Sequence, residues 1–237
     1  ESLIQYIVSN PRESQIRDIS HQLIQLIGNM YPIADQEIKT YVERILNELN
    51  SEQLIHCLQH RYTYKDLIKK KIKGLADEYA ESEFRKKVDT RKITAEPNFR
   101  LNESITPGNL APSISYSLYE REASINRFEQ KVLESVHALD NVVFWHKNLE
   151  RGHGFAINGF KNNHYPDFIF LTKKGNIILI ETKGDDRDNS DSIAKNKLGK
   201  KWAELAGPNY HYFMVFDKNA IENTKNANEI REIVEAL

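Results

Sequence analysis

The chain has one cysteine in 237 residues, Cys57, so no internal disulfide can form, and such thiol usage suits a reducing, cytoplasmic compartment. No apolar run approaches the roughly eighteen residues of a membrane span. The opening Glu1-Ser2-Leu3 is no signal peptide, and the missing initiator Met leads us to expect a piece of a longer protein. No G-x-x-x-x-G-K-[ST] stretch occurs, so these residues lack a phosphate-loop ATPase site. No internal repeat is visible. A strong charge of either sign is missing too, because 33 Lys and Arg face 34 Asp and Glu, for a formal net charge of −1. Any nucleic-acid contact must then come from a local cluster rather than from the bulk charge.

Apolar content of 40% is enough for a real core, and the length allows one large or two small domains. Residues 1–90 read as a helical bundle of four or five helices. Asn10-Pro11 looks like an N-cap and first-turn pair, followed by Ile16, Ile19, Leu23 and Ile27 at helical spacing. Ile38, Tyr41, Val42, Ile45, Leu46 and Leu49 form a second stripe, and Ile68, Ile72, Leu75 and Tyr79 a third. His21, His56 and His60 lack matched acid or Cys spacing, so packing or surface roles account for them.

Residues 91–237 read as an α/β domain. The spacing leaves 93–101 extended and makes 102–116, with Pro107, Gly108 and Pro112, a loop or linker. A helix from about Ser124 buries Phe128, Val132, Leu133, Val136 and Leu139. Strands are expected at 141–148, 165–171, 177–183 and 210–217, with a helix opening near Asp191-Ser192 and another from Ala227 to Leu237. The expected architecture is a mixed sheet with helices on both faces.

Tyr165-Pro166-Asp167-Phe168 and Ile180-Glu181-Thr182-Lys183 stand at the two ends of one hairpin, joined through Lys173-Lys174-Gly175-Asn176. An acid entering the first strand and an acid leaving the second then lie side by side. Their repulsion is relieved by a cation, and Lys183 projects to the face of Glu181 because strand side chains repeat every second residue. A Mg²⁺-and-water site for phosphodiester hydrolysis is one outcome of that grouping. A charged hairpin end with an ordinary salt bridge is the other.

Asp167, Glu181 and Lys183 resemble the signature of the PD-(D/E)xK nuclease superfamily. Phe144-Trp145-His146-Lys147-Asn148, Tyr165-Pro166-Asp167-Phe168, Glu181-Thr182-Lys183-Gly184-Asp185 and Phe213-Met214-Val215-Phe216-Asp217, in this order, resemble the C-terminal endonuclease region of the type III restriction enzyme cleavage subunit. Ser117-Leu118-Tyr119-Glu120 and Asn126-Arg127-Phe128-Glu129 fit the stretch ahead of it, so the likeness spans about residues 93–217.

The resemblance implies a hydrolase acting in restriction of foreign DNA, with Asp167 and Glu181 holding Mg²⁺ (or Mn²⁺) with help from the Thr182 carbonyl. Lys183 would act as base or as electrostatic stabiliser, and cleavage would leave a 5′-phosphate. It implies double-stranded DNA and a methyltransferase subunit as partners, and ATP only through a motor domain outside this chain. Many members place an acid on the first core helix. Glu129 is that candidate here, against the alternative of a solvent-facing glutamate. Asp185 and Asp186 are candidates for a second metal or for a plain turn. Between Val143 and Lys201, eleven Lys and Arg face seven Asp and Glu, and Lys195, Lys197, Lys200 and Lys201 crowd one helix that could neutralise phosphates. A repair or recombination nuclease of the same superfamily, or an inactive DNA-docking module, are the alternative functions.

Overall fold

Apolar residues three and four apart fold the first part of the chain into five helices: α1 (Ser2–Ser9), α2 (Arg12–Ile27), α3 (Asp35–Glu48), α4 (Ser51–Gln59) and α5 (Arg61–Asp89). The structure is a computed structural model that describes residues 2–95, 99–184, 189–218 and 221–237. Asn50 starts α4 with a capping box, its side chain accepting from the Gln53 N–H while the Gln53 side chain accepts from the Asn50 N–H. Ile16, Ile19, Leu23 and Ile27 of α2 meet Ile38, Val42 and Leu46 of α3 in one core with Leu54, Leu58, Ile68 and Ile72. The third stripe holds only in part. Leu75 and Tyr79 are 39% and 70% exposed, because this core ends at Ile72 while α5 runs on.

The chain divides into two compact units, Glu1–Glu83 and Phe84–Leu237, with the division inside α5, ahead of the boundary drawn after residue 90. The second unit is mixed α/β. Its elements are α6 (Arg127–Val136), β1 (Val142–Lys147), β2 (Ile157–Asn158), β3 (Asn163–His164), β4 (Phe168–Thr172), β5 (Ile177–Lys183), α7 (Asn189–Ala206), β6 (Tyr210–Phe216) and α8 (Ala227–Ala236). Four strands form one sheet in the order β1-β4-β5-β6, antiparallel except for the parallel β5–β6 pair. Residues 177–183 cross through α7 to the parallel β6, as a right-sized helical crossover requires.

Strand alternation sorts the core into two layers. Phe168, Phe170, Ile178 and Ile180 pack with Val132, Leu133 and Val136 of α6 and with Ile230 and Val234 of α8. Ile169, Leu179, Tyr212 and Met214 pack with Trp202 of α7. Helices thus cover both sheet faces, as expected. The expected linker does more than connect. Trp145 Nε1 donates to the Ser115 carbonyl at 2.9 Å, and the Trp145 and Leu118 amides bond Tyr116 and Trp145 carbonyls, fastening residues 115–118 along β1. Residues 93–95 and 99–101 form no strand, and residues 96–98 of the expected extended segment lie outside those described.

Candidate active site

The β4–β5 register sets the site. Phe168 pairs with Ile180, which carries Asp167, one residue ahead of β4, to the end of the hairpin where Glu181, Thr182 and Lys183 stand. Asp167 is held on both carboxylate oxygens. The Thr182 amide and hydroxyl donate to Oδ2 at 2.7 and 2.8 Å, and the Lys147 ammonium donates to Oδ1 at 2.8 Å. Burial alone would raise the Asp167 pKa. The Lys147 charge and the bonds from Lys147 and Thr182 more than offset it, so the carboxyl stays below its usual range.

Glu181 has the opposite balance. It is 5% exposed, and its Oε1 accepts from Lys183 Nζ at 2.9 Å. Burial, then the Asp167 charge, push its pKa up to about 7 against the pull of Lys183 and Lys195. Lys183 goes the other way. Burial would lower its pKa, but Glu181, Asp167 and Asp191 raise it overall, so the side chain is an ammonium at neutral pH.

Glu129 is not a solvent-facing glutamate. It is 8% exposed on α6, where its Oε2 accepts from the Asn126 amide at 2.9 Å and Asn126 Oδ1 accepts from the Phe128 and Glu129 amides. Its Oε1 accepts from Lys147 Nζ at 3.1 Å, so Glu129 reaches Asp167 through a lysine. The sequence reading assigned Lys147 no role. Its clue was the alternation of β1: Trp145, two residues earlier on the same face, is fully buried, so Lys147 had to be a buried cation with partners. Beside it, buried Glu122 binds His146 Nδ1 at 2.9 Å and accepts from the Lys147 amide at 3.2 Å, fixing this end of β1.

A second pair was also missed. His164 Nε2 lies 2.8 Å from the Tyr212 hydroxyl, and both side chains are buried. Burial, then Lys195 and Lys183, drive the His164 pKa down to about 3, so the imidazole is neutral. Burial, then Glu181 and Asp167, hold the Tyr212 hydroxyl well above its usual value. Only glycine at 199 lets α7 come this close, since a Cβ there would overlap the Tyr212 ring. Nothing in the sequence pointed to the pair, because β2 and β3 are two residues each and too short to show a period.

The Gly-rich loop after β1 is clamped by buried Asn148. Its Nδ2 donates to the Phe155 and Pro166 carbonyls at 2.8 and 2.9 Å, and its Oδ1 accepts from the Phe155 amide at 2.9 Å. Gly154 fits this clamp because a Cβ would strike the Leu149 carbonyl and Asn148 Oδ1. Pro166-Asp167 is thereby tied to both β1 and the loop.

The four lysines of α7 have different surroundings. Lys195 lies on the side of the helix that carries buried Ser192, Asn196, Gly199 and Trp202, and it pairs with Asp191 at 2.7 Å. Lys197 and Lys200 are exposed, and Lys200 Nζ donates to the Asn223 carbonyl at 2.8 Å. Lys201 bonds Glu204 at 3.1 Å. Asp185 and Asp186 lie outside the described residues.

Among the described residues no three His, Cys, Asp or Glu side chains converge as a metal cluster. The carboxylates of Asp167 and Glu181 are the two donors whose charges interact. No helix among the described residues is long and apolar enough to cross a membrane. Comparison with protein-family models, curated proteins and solved structures found no match to this chain.

Proposed function

We propose that the second unit is a Mg²⁺-dependent DNA endonuclease domain with a PD-(D/E)xK core, of the kind found in the cleavage subunit of type III restriction enzymes. The observation that carries it is the meeting of Asp167, Glu181 and Lys183 at one hairpin end, where Glu181 is buried and pushed up to about 7 by burial and by Asp167. A buried carboxyl whose proton affinity is raised by a neighbouring carboxylate is stabilised in its charged form by a divalent cation, and hard oxygen donors suit Mg²⁺ with waters filling its shell. The residues present fit that ion through Asp167, Glu181 and the Thr182 carbonyl. When bound, the ion supplies Lewis acidity and a more acidic water.

The chain's own groups do the rest. Thr182 and Lys147 keep Asp167 ionised and oriented. A bound cation would favour the ionised form of Glu181, whose proton affinity is raised by burial and by Asp167. Lys183, an ammonium beside Glu181, is placed to bind the phosphate or hold the attacking water. Double-stranded DNA is the substrate, a methyltransferase subunit would recognise the site, and an ATPase motor outside this chain would communicate along the DNA.

The test is nicking of supercoiled plasmid at low ionic strength with Mg²⁺ or Mn²⁺. The wild-type chain is expected to nick in a chelator-sensitive manner, and Asp167→Ala to lose it. Equal nicking by both would remove the site assignment.

A further inference from the structure

In the nuclease reading Lys147 serves only to hold Asp167, and its geometry gives it more to do. Its Nζ lies 2.8 Å from Asp167 Oδ1 and 3.1 Å from Glu129 Oε1, with the side chain 12% exposed and the ammonium 5.1 Å from the centre of the Phe168 ring. A buried ammonium needs counter-charge, and this one has two carboxylates. Oδ2 of Asp167 already accepts twice from Thr182, so Oδ1 is the oxygen that Lys147 holds. A hard cation that binds Asp167 at close range must contend with that ammonium.

Resting on the nuclease reading, we propose that Lys147 is a positioning residue that competes with the divalent cation for Asp167 and, anchored by Glu129, turns to the DNA phosphate once the cation is in place. Glu129 is a fixed anchor, because its other oxygen is tied to the Asn126 amide at 2.9 Å in the capping box of α6. Charge arithmetic gives the competition its purpose. With Glu181 ionised, three carboxylates, Asp167, Glu181 and Glu129, face two ammoniums, Lys147 and Lys183, for a local charge of −1. A divalent cation brings the group to +1, and one phosphodiester returns it to zero. Without DNA, Lys147 therefore opposes the metal. With DNA, the phosphate takes up the surplus positive charge, so cation and substrate bind each other's site better than either binds alone.

The test measures Mn²⁺ binding to the 237-residue chain without DNA, at pH 8, by electron paramagnetic resonance of the free ion. Lys147→Met is expected to bind Mn²⁺ roughly tenfold more tightly than wild type, since one unit charge beside the donor oxygen is gone. Lys147→Arg, which keeps the charge, is expected to stay close to wild type. Because Lys147→Met leaves two buried carboxylates facing each other, the pair Glu129→Gln and Lys147→Met/Glu129→Gln provides the same comparison with one charge fewer, and thermal melts confirm folding. A lysine that only holds the fold would leave Mn²⁺ affinity unchanged or weaken it on removal, and that result in both comparisons overturns the proposal. Asp167→Asn separates the two readings. If it abolishes Mn²⁺ binding while the Lys147 variants bind no more tightly, the nuclease site stands and the competition fails. If Asp167→Asn binds as wild type does, or if wild type and Lys147→Met both fail to bind, the site assignment falls with it.

Discussion

The two units treat charge in opposite ways. Among the described residues of 1–83, Ser20 is the buried polar side chain, and no Asp, Glu, Lys, Arg or His is buried. The second unit buries Glu122, Glu129, His146, His164 and Glu181. Burying an ionisable group costs free energy that apolar packing does not, unless partners compensate. The core of the helical unit is built from its apolar stripes. The α/β unit accepts the cost, and Glu129, His164 and Glu181 all lie where β4 begins, β5 ends, and Asp167 and Lys147 meet. Net charge follows the same divide: ten Lys and Arg against thirteen Asp and Glu in 1–83, and twenty-three against twenty-one in 84–237. Packing defines one unit, and a costly polar cluster sets the other apart.

The largest expected effect tests that division directly. Asp167→Ala, Glu181→Ala and Lys183→Ala should each lower metal-dependent nicking by on the order of a hundredfold or more. Leu23→Ala, in the middle of the helical core, should leave nicking by the folded protein unchanged. It should instead cost about 2–5 kcal/mol in denaturant unfolding of the first unit, the usual range for a buried leucine. Triad variants that nick normally, or a folded Leu23→Ala that does not nick, would break the comparison.

Legibility in the sequence followed the same line. Strands β1, β4, β5 and β6 and helices α6 and α8 were readable because each carries a full apolar period, as Val132, Leu133 and Val136 show. Asp167, Glu181 and Lys183 were readable because they sit at the ends of such strands. Lys147, His164 and Tyr212 were not singled out, since their roles depend on which neighbours the fold supplies. Lys147, on β1, needs Glu129 from helix α6, and His164 needs Tyr212 from a strand 48 residues on. Leu75 and Tyr79 failed in the reverse sense. Helical spacing promised burial, but no core accompanies that stretch of α5.

A smaller effect sharpens the contrast through pH. The Glu181 carboxyl is raised to about 7 from 4.5, so between those values the folded state holds a proton that the unfolded state has lost. Its contribution to stability is present below about pH 4.5 and is lost as pH rises through about 7. Glu181→Gln removes that loss. It should be more stable than wild type above pH 7, with an upper bound on the order of 3 kcal/mol from the size of the shift. Melts of the metal-free proteins at pH 5 and pH 8 check this. The gain should appear at pH 8 and shrink at pH 5, and a gain independent of pH would assign it to something other than the buried charge.

The smallest expected effect lies on the outer face of α7. Phosphate contacts give a slope near −0.9 per charge in the logarithm of affinity against that of salt. Three freely offered lysines would therefore make the slope of Lys197→Glu/Lys200→Glu/Lys201→Glu shallower by about 2.7. The structure lowers that figure, because Lys200 is bonded to the Asn223 carbonyl and Lys201 to Glu204, whereas Lys197 is exposed. A change of about one is expected, uniform across DNA sequences, since backbone contacts position without reading bases. Lys195→Glu should act differently. Its charge bears on Glu181 and His164, so it should alter the pH dependence of Mn²⁺ uptake as well as DNA affinity. Fluorescence anisotropy with two unrelated duplexes over a salt series separates the cases. Tight, sequence-selective binding by this chain alone would contradict the restriction-subunit reading and favour a self-sufficient nuclease.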